Sequence, residues 1–181
     1  MNHLKKEFKY ASNNYKSIEK VMIRGKGIYV YDNKNTAYID CISGYSALNQ
    51  GHCDPRLVKT ITKQAGLLSL TSRAYCNDKL GLYSEKLCKT FEYDKVLLMN
   101  GGVESGESAT KIARAWGYKK KGIPKNEAIN VYFNNNFWGR SLAACSSSND
   151  ESCYENFGPY LNGVKLLDYN NIEQLEDYLK K

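Results

Sequence analysis

The sequence predicts an α/β protein in which an antiparallel β appendage is followed by an incomplete, mainly parallel sheet with helices. Two observations in the 181 residues carry this prediction. Residues 27–41 contain two β-rich runs joined by a short polar turn, which is typical of a hairpin. Residues 95–133 contain an apolar run, two glycines, a helical pattern and a second apolar run, which is the order of a βαβ unit. We therefore expect residues 1–54 to form the appendage and a linker, and residues 55–181 to form the first part of an α/β domain.

The first half of the chain supplies the hairpin and two helices. The runs GIYVYD (27–32) and TAYIDC (36–41) have the composition of strands. Asp54 and Pro55 predict a helix start, since aspartate caps helices well and proline fits the first helical position. The helical spacing of apolar residues then extends to Leu68, and a second helix is expected over 78–92.

Three short apolar runs in the second half are predicted to form strands. They are KVLLMN (95–100), AINVYF (128–133) and VKLLDY (164–169). Between the first two, Ala109, Ile112, Ala113 and Trp116 recur at helical spacing, and a last helix is expected from about residue 170. Parallel strands need several neighbours and cover on both faces, so three strands indicate an incomplete sheet.

Composition excludes several classes of protein. The hydrophobic fraction of 42% and the charged fraction of 25% are typical of soluble globular chains. The sequence has no apolar run as long as a membrane span and no recognisable signal or transit segment, so we expect a cytoplasmic protein. The net charge of +7 comes from scattered lysines, and the one run, Lys119 to Lys121, falls at a predicted helix end where it complements the dipole. Neither a nucleic acid nor a membrane is therefore expected as a partner.

The six cysteines are expected to be mainly reduced, buried thiols. None lies in a CxxC pair, and the sequence has only two histidines, His3 and His52, so no metal site is expected. Cys145 and Cys153 flank a polar loop whose ends could approach each other, which makes them a candidate redox pair. Two unrelated free thiols are the favoured alternative.

Gly101 and Gly102 lie between a predicted strand and a predicted helix. Unpaired N–H groups at a helix start favour an anion, and glycine lets the anion approach the backbone closely. The sequence GGVESG is neither a Walker loop nor GxGxxG. A tight turn without a ligand is an equal alternative.

The loop NNNFWGR (134–140) follows the strand 128–133. Both strands of a βαβ unit end at one edge of the sheet, so this loop and the glycine turn should converge there. Phe137 and Trp138 could offer a flat ring, and Arg140 could bind a carboxylate. Loop packing for the aromatic residues and a surface charge for the arginine are the alternatives.

Five blocks of the sequence carry a resemblance that covers nearly the whole chain. They are GYSALNQGHCDP, LTSRAYCNDKLG, MNGGVESGESATKIARAWGY, NNNFWGRSLAACSSS and NFGPY. Together they resemble the ornithine aminotransferases, which are class III, fold-type I pyridoxal-phosphate enzymes. The resemblance implies the N-terminal portion of a PLP fold-type I aminotransferase, the cofactor pyridoxal 5′-phosphate and a homodimer at full length. It also implies small-molecule substrates, ornithine and 2-oxoglutarate.

The resemblance also implies roles for individual residues. The cofactor-binding residues would be Gly101, Gly102 and Val103 at the phosphate and Phe137 on the pyridoxal ring. The substrate-binding residues would be Tyr15, Tyr45, Trp138 and Arg140, with the arginine paired to a carboxylate.

The implied activity is transfer of the δ-amino group of L-ornithine to 2-oxoglutarate, giving glutamate 5-semialdehyde and glutamate. Two residues depart from the family pattern: Gly101 stands where threonine or serine is usual, and Ser105 stands where alanine is usual. No lysine in the chain matches the one that forms the Schiff base, so no catalytic residue is assigned and the 181 residues alone are expected to be inactive. Another class III aminotransferase, acting on acetylornithine or 4-aminobutyrate, and a non-catalytic truncated paralogue or fragment are the alternatives.

Overall fold

The computed structural model describes residues 3–12 and 14–180. The chain forms two compact units, Met1–Leu80 and Gly81–Lys181. The predicted domain boundary between residues 54 and 55 stays a prediction. No helix of the described residues is long and apolar enough to cross a membrane.

Within the described residues, the first unit contains a three-stranded antiparallel sheet and three helical segments. In chain order its elements are α1 (His3–Tyr10), β1 (Met22–Lys26), β2 (Tyr29–Asp32), β3 (Ala37–Ile39), α2 (Ser43–Ser46) and α3 (Pro55–Ala65). The sheet order is β1-β2-β3. The predicted hairpin is confirmed as β2 and β3, and the buried Asp32 closes its turn by accepting the N–H groups of Lys34 and Thr36 at 2.9 and 2.8 Å. The sequence did not indicate β1, whose residues MIRGK include glycine and two charges.

The helix after the hairpin begins where the sequence predicts and ends sooner. Asp54 caps α3 by accepting the N–H of Arg56 at 2.9 Å, and Pro55 is the first helical residue. The prediction that the helix extends to Leu68 is wrong. Gly66 is the C-cap, and the weak helix propensity of glycine favours an end there.

The second unit contains a two-stranded parallel sheet and five helices within the described residues. Its elements are α4 (Leu80–Phe91), α5 (Gly102–Lys120), β4 (Asn130–Phe133), α6 (Leu142–Ser146), α7 (Glu151–Tyr154), β5 (Val164–Leu167) and α8 (Ile172–Leu179). Strands β4 and β5 pair in parallel from Asn130↔Val164 to Phe133↔Leu167, which confirms the predicted mainly parallel sheet of this half of the chain. The fully buried apolar side chains gather around α6, α7 and β5, and they include Ala144, Cys153 and Leu167.

The predicted strand at 95–100 is wrong for this structure. Residues 95–99 belong to neither sheet, and their apolar side chains are exposed, Leu97 by 60%. A strand needs a neighbour to complete its hydrogen-bond ladder. No strand of the described residues lies beside this segment.

Helix α5 is present as predicted, but its apolar stripe does not pack on the sheet. Ile112 and Trp116 are more than half exposed. The neighbouring stripe of small and polar residues contacts the rest of the unit: Thr110 bonds to Tyr132 of β4, and Gly117 lies against Ile123 and Ala128.

Candidate cofactor and substrate site

The start of α5 presents free backbone donors to open space. Gly101 is the N-cap in an extended conformation, and the N–H groups of Gly102 and Val103 have no backbone acceptor among the described residues. A Cβ on either glycine would meet no atom within 4 Å. The carboxylate of Glu104 accepts the N–H of Asn100 at 2.8 Å, so it is hydrogen-bonded to the backbone that precedes the helix. The chemistry of this donor set suits a phosphate.

The loop after β4 lies directly on this turn, as the shared sheet edge predicts. A Cβ built on Gly139 would fall 2.4 Å from Cγ2 of Val103, so the two backbones approach closely. Gly139 has φ +152°, a conformation that favours glycine. The structure therefore brings the glycine turn and the Phe137–Arg140 loop together.

Phe137 and Arg140 form the exposed part of this loop. The ring of Phe137 is 67% exposed, and the guanidinium carbon of Arg140 lies 5.7 Å from its centroid. The two side chains thus offer a flat apolar surface and an available cation side by side. Hydrogen bonds from the hydroxyl and the N–H of Ser152 hold the pKa of Asp150 below its ordinary value. The nearby charge of Arg140 makes a smaller contribution in the same direction.

Trp138 is half-buried, and its one hydrogen-bond donor, the indole N–H, already has a partner. Its Nε1–H donates to the hydroxyl of Ser147 at 2.8 Å, and its ring lies parallel to Tyr132 with centroids 6.0 Å apart. Ser147 is completely buried. The substrate-contact role that the resemblance implies for Trp138 stays a prediction.

In the first unit, the hydroxyls of Tyr15 and Tyr45 are hydrogen-bonded to each other. Both side chains are mainly exposed, and the bond to Tyr15 raises the pKa of Tyr45. Tyr45 lies in α2, a single turn whose residues 43–46 all have φ between +49° and +70°. Left-handed backbone is unfavourable for L-residues and recurs at functional positions.

A hydrogen-bonded clasp that the sequence did not predict closes the loop carrying Tyr45. His52 Nε2 lies 2.7 Å from Asp40 Oδ2, and the backbone of His52 pairs with that of Gly27. The other oxygen of Asp40 accepts the N–H groups of Ile42 and Ser43 at 3.0 and 2.9 Å. The loop lines an open cavity of ≈ 470 Å³. An acid and a histidine twelve residues apart carry no pattern that sequence reasoning could have used.

The candidate redox cysteines are both free and buried in the structure. The thiol of Cys145 lies 3.9 Å from the backbone oxygen of Arg140, and that of Cys153 lies 3.5 Å from the carboxylate of Asp150. They therefore flank the site loop without being joined. Among the described residues, no group of three or more His, Cys, Asp or Glu side chains could hold a metal ion.

Residues 10–180 match the family Aminotransferase class-III. The chain belongs to the class-III aminotransferase family. Ornithine aminotransferase, mitochondrial, of Drosophila ananassae is 50% identical to this class-III chain over 175 residues, which cover 97% of the chain and 40% of the relative. The chain thus spans about 40% of the length of the curated relatives it matches.

Solved structures agree with this assignment to the class-III family. The ornithine aminotransferase of Toxoplasma gondii ME49 superposes with a TM-score of 0.96 at 44% identity, covering 98% of this chain and 42% of that one. A second structure of the T. gondii enzyme, with a TM-score of 0.95, 44% identity and the same coverage, has partial occupancy of PLP at its active site. The fold of the chain is therefore that of the N-terminal part of a fold-type I aminotransferase.

Proposed function

We propose that this chain is part of a PLP-dependent ornithine aminotransferase. The enzyme would transfer the δ-amino group of L-ornithine to 2-oxoglutarate, giving glutamate 5-semialdehyde and glutamate. The observation that carries the proposal is the contact between the open start of α5 and the Phe137–Arg140 loop in a class-III chain. The similarity to ornithine aminotransferases at up to 50% identity supports the choice of substrate.

The residues present fit pyridoxal phosphate. The N–H groups of Gly102 and Val103 would hold the phosphate, with Gly101 leaving room for it. Phe137 would cover one face of the pyridoxal ring. When bound, the cofactor supplies the electron sink and amino-group carrier of transamination.

The same residues account for substrate binding. Arg140 would bind a substrate carboxylate through its planar fork of donors. In the first unit, Tyr15 and Tyr45 would contribute phenolic hydroxyls to the binding of the amino acid. The cation of Arg140 and the helix start would thus fix the two anionic groups, carboxylate and phosphate, at opposite ends of the reacting assembly.

The experiment is an assay of the full-length protein that contains this sequence. We expect formation of glutamate 5-semialdehyde, trapped as its cyclised imine, from ornithine and 2-oxoglutarate in the presence of pyridoxal phosphate. N-acetylornithine and 4-aminobutyrate are the comparison substrates. Turnover of either of these without turnover of ornithine would assign a different class-III activity. Binding of pyridoxal phosphate without any turnover would support a non-catalytic paralogue.

We further propose that the full-length protein is a homodimer. The exposed apolar stripe of α5 and the exposed segment 95–99 leave much apolar surface uncovered in this chain, which supports burial against further protein. Sedimentation of the full-length protein should give twice the mass of one chain. A monomer at micromolar concentration would contradict the proposal.

A cytoplasmic location is also proposed from the composition of the sequence. The Drosophila relative is named as a mitochondrial enzyme, so the question is open to a direct test. Fractionation of the source cells should recover the protein with cytosolic markers. Recovery with an organelle would contradict the proposal without affecting the proposed activity.

A further inference from the structure

The indole of Trp138 occupies the space that a side chain on residue 106 would need. A Cβ built on Gly106 falls 2.3 Å from Cε3 and 2.7 Å from Cζ3 of the indole, distances that real Cβ atoms do not reach. Glycine within a helix is less favourable than alanine. The close indole contact therefore gives a physical reason for glycine at this position of α5.

Two further contacts, each supported by a second hydrogen bond, fix the indole. Its N–H donates to Ser147, whose own hydroxyl is buried and donates to the backbone oxygen of Ala144 at 3.1 Å. The ring stacks at 6° on Tyr132. The hydroxyl of Tyr132 in turn bonds to Thr110, one turn after Gly106 on α5, at 2.6 Å. The indole is thus fixed to the helix, to β4 and to α6.

Gly139, the residue after Trp138, also packs against α5, one turn before Gly106. Gly139 packs against Val103, with 2.4 Å from its ideal Cβ to Cγ2 of the valine. Residues 138 and 139 therefore rest on two successive turns of the helix. Phe137 and Arg140 flank this pair in sequence, so their positions relative to the first turn of α5 depend on it.

We propose that Trp138 is a positioning residue that sets the distance between the N–H groups at the start of α5 and the Phe137–Arg140 loop. This inference rests on the proposed function. It differs from a substrate-wall role, in which the indole would contact the amino acid. A buried, already bonded indole N–H fits a positioning role because it has no donor left for a substrate.

The test measures the dissociation constant for pyridoxal phosphate in the full-length protein, by equilibrium dialysis. Gly106→Ala adds the Cβ that meets the indole, and we expect the constant to rise by about tenfold or more because small displacements at such sites are costly. Gly81→Ala in α4 is the matched control. A Cβ there meets no atom within 4 Å, so the constant should be unchanged.

A double variant isolates the contact. Trp138→Phe replaces the indole that meets Gly106 by a smaller ring, so Gly106→Ala/Trp138→Phe should bind pyridoxal phosphate no more weakly than Trp138→Phe alone. Additive losses would overturn the inference. Ser147→Ala adds no atoms and should raise the constant about fivefold by releasing the indole N–H. If Gly106→Ala fails to fold, the dissociation constant of Ser147→Ala tests the inference instead.

The alternatives have distinct signatures. A substrate-wall role predicts that Trp138→Phe raises the KM for ornithine while the dissociation constant for pyridoxal phosphate and the absorption band of the bound cofactor stay unchanged. That result would overturn the inference. Failure of the wild-type protein to bind pyridoxal phosphate would contradict the proposed function itself, whereas wild-type binding with unaffected variants would contradict the positioning role alone.

Discussion

The N-cap of α5 is Gly101, at a position where the resemblance to the family leads us to expect threonine or serine. Gly101 has φ −150° and ψ 167°, which any residue adopts, and a Cβ there would meet open space. The backbone conformation at position 101 therefore does not require glycine. Gly101 provides no side-chain cap, and two polar side chains support the turn: Glu104 accepts the N–H of Asn100, and the hydroxyl of Ser105 donates to the backbone oxygen of Gly101.

We predict that Gly101→Ser tightens the binding of pyridoxal phosphate by the full-length protein. The serine hydroxyl adds one donor, and a net hydrogen bond of about 1 kcal/mol corresponds to about a fivefold lower dissociation constant. Equilibrium dialysis measures the change, with Gly81→Ser as the control at an open helical site. Unchanged or weaker binding would show that the phosphate does not lie at Gly101.

A second prediction concerns the loop cation. Arg140→Lys keeps the charge and removes the planar fork, so the KM for 2-oxoglutarate should rise about tenfold or more while cofactor binding stays unchanged. Steady-state kinetics and dialysis separate the two effects. Arg56→Lys is the matched control, since Arg56 is 83% exposed and pairs only at the surface with Asp54. A lowered cofactor affinity with unchanged KM would place Arg140 at the phosphate instead.

At the scale of elements, contacts between side chains and backbone decide where several segments begin and how they are held. Ser141 caps α6 by accepting the N–H of Ala144, and Asn171 caps α8 by accepting that of Gln174. The Asp40–His52 clasp likewise holds the ends of the loop that carries the left-handed turn of Tyr45.

The clasp predicts a pH dependence for this loop. The N–H of Ser43, then the His52 side chain, hold the pKa of Asp40 below its ordinary value of about 3.9. A lowered folded-state pKa contributes stability above about pH 3.9, and that stability is lost as the pH falls through the folded-state value. Asp40→Asn should therefore speed amide exchange of residues 41–51 at neutral pH, and the difference from wild type should shrink below about pH 4. The amides of β4 are the internal control. A difference that is constant with pH would exclude the carboxylate charge as its cause.

The cysteine pair on α6 and α7 carries the next prediction. Oxidation with diamide should join Cys145 and Cys153 and lower activity, because the first thiol contacts the backbone of Arg140. Thiol reductant should restore the activity. Cys145→Ser should be resistant, and Cys88→Ser, which changes a half-buried cysteine of α4, is the control. Loss of activity in Cys145→Ser under the same treatment would show that the pair is not responsible.

At the scale of the whole molecule, the chain leaves apolar surface uncovered. The segment 95–99 has the sequence of a buried strand and lies outside both sheets. The chain spans about 40% of the length of the relatives it matches, so the rest of their sequence has no counterpart here. An apolar run without a neighbour cannot complete its hydrogen bonds.

We therefore predict that amides 95–99 exchange rapidly in the 181-residue chain and slowly in the full-length protein. Protection of a strand within a sheet should slow exchange by about a thousandfold or more. Hydrogen exchange with mass spectrometry compares the two proteins, and α4 serves as the reference segment. Equally fast exchange in both would show that this segment does not become a strand.

The sequence by itself determined most of the local elements and indicated candidate residues for the site. Hairpin composition, the Asp54-Pro55 helix start and the strand–glycine–helix order depend on neighbours in the chain, and the blocks around MNGGVESG and NFWGR were sufficient to indicate the family. Those features are local, so a linear pattern records them.

Tertiary structure alone decided which faces pack and which contacts hold the site together. The apolar stripe of α5 indicates burial, yet the stripe through Gly106, Thr110 and Gly117 contacts the unit, because the indole of Trp138 and the side chains of β4 and its flanks lie there. The segment 95–99 fails to form a strand for the same reason: pairing depends on a neighbour, which no local pattern contains. The glycine turn is a property of the sequence, whereas its contact with the loop from Phe137 to Arg140 exists only in the folded chain.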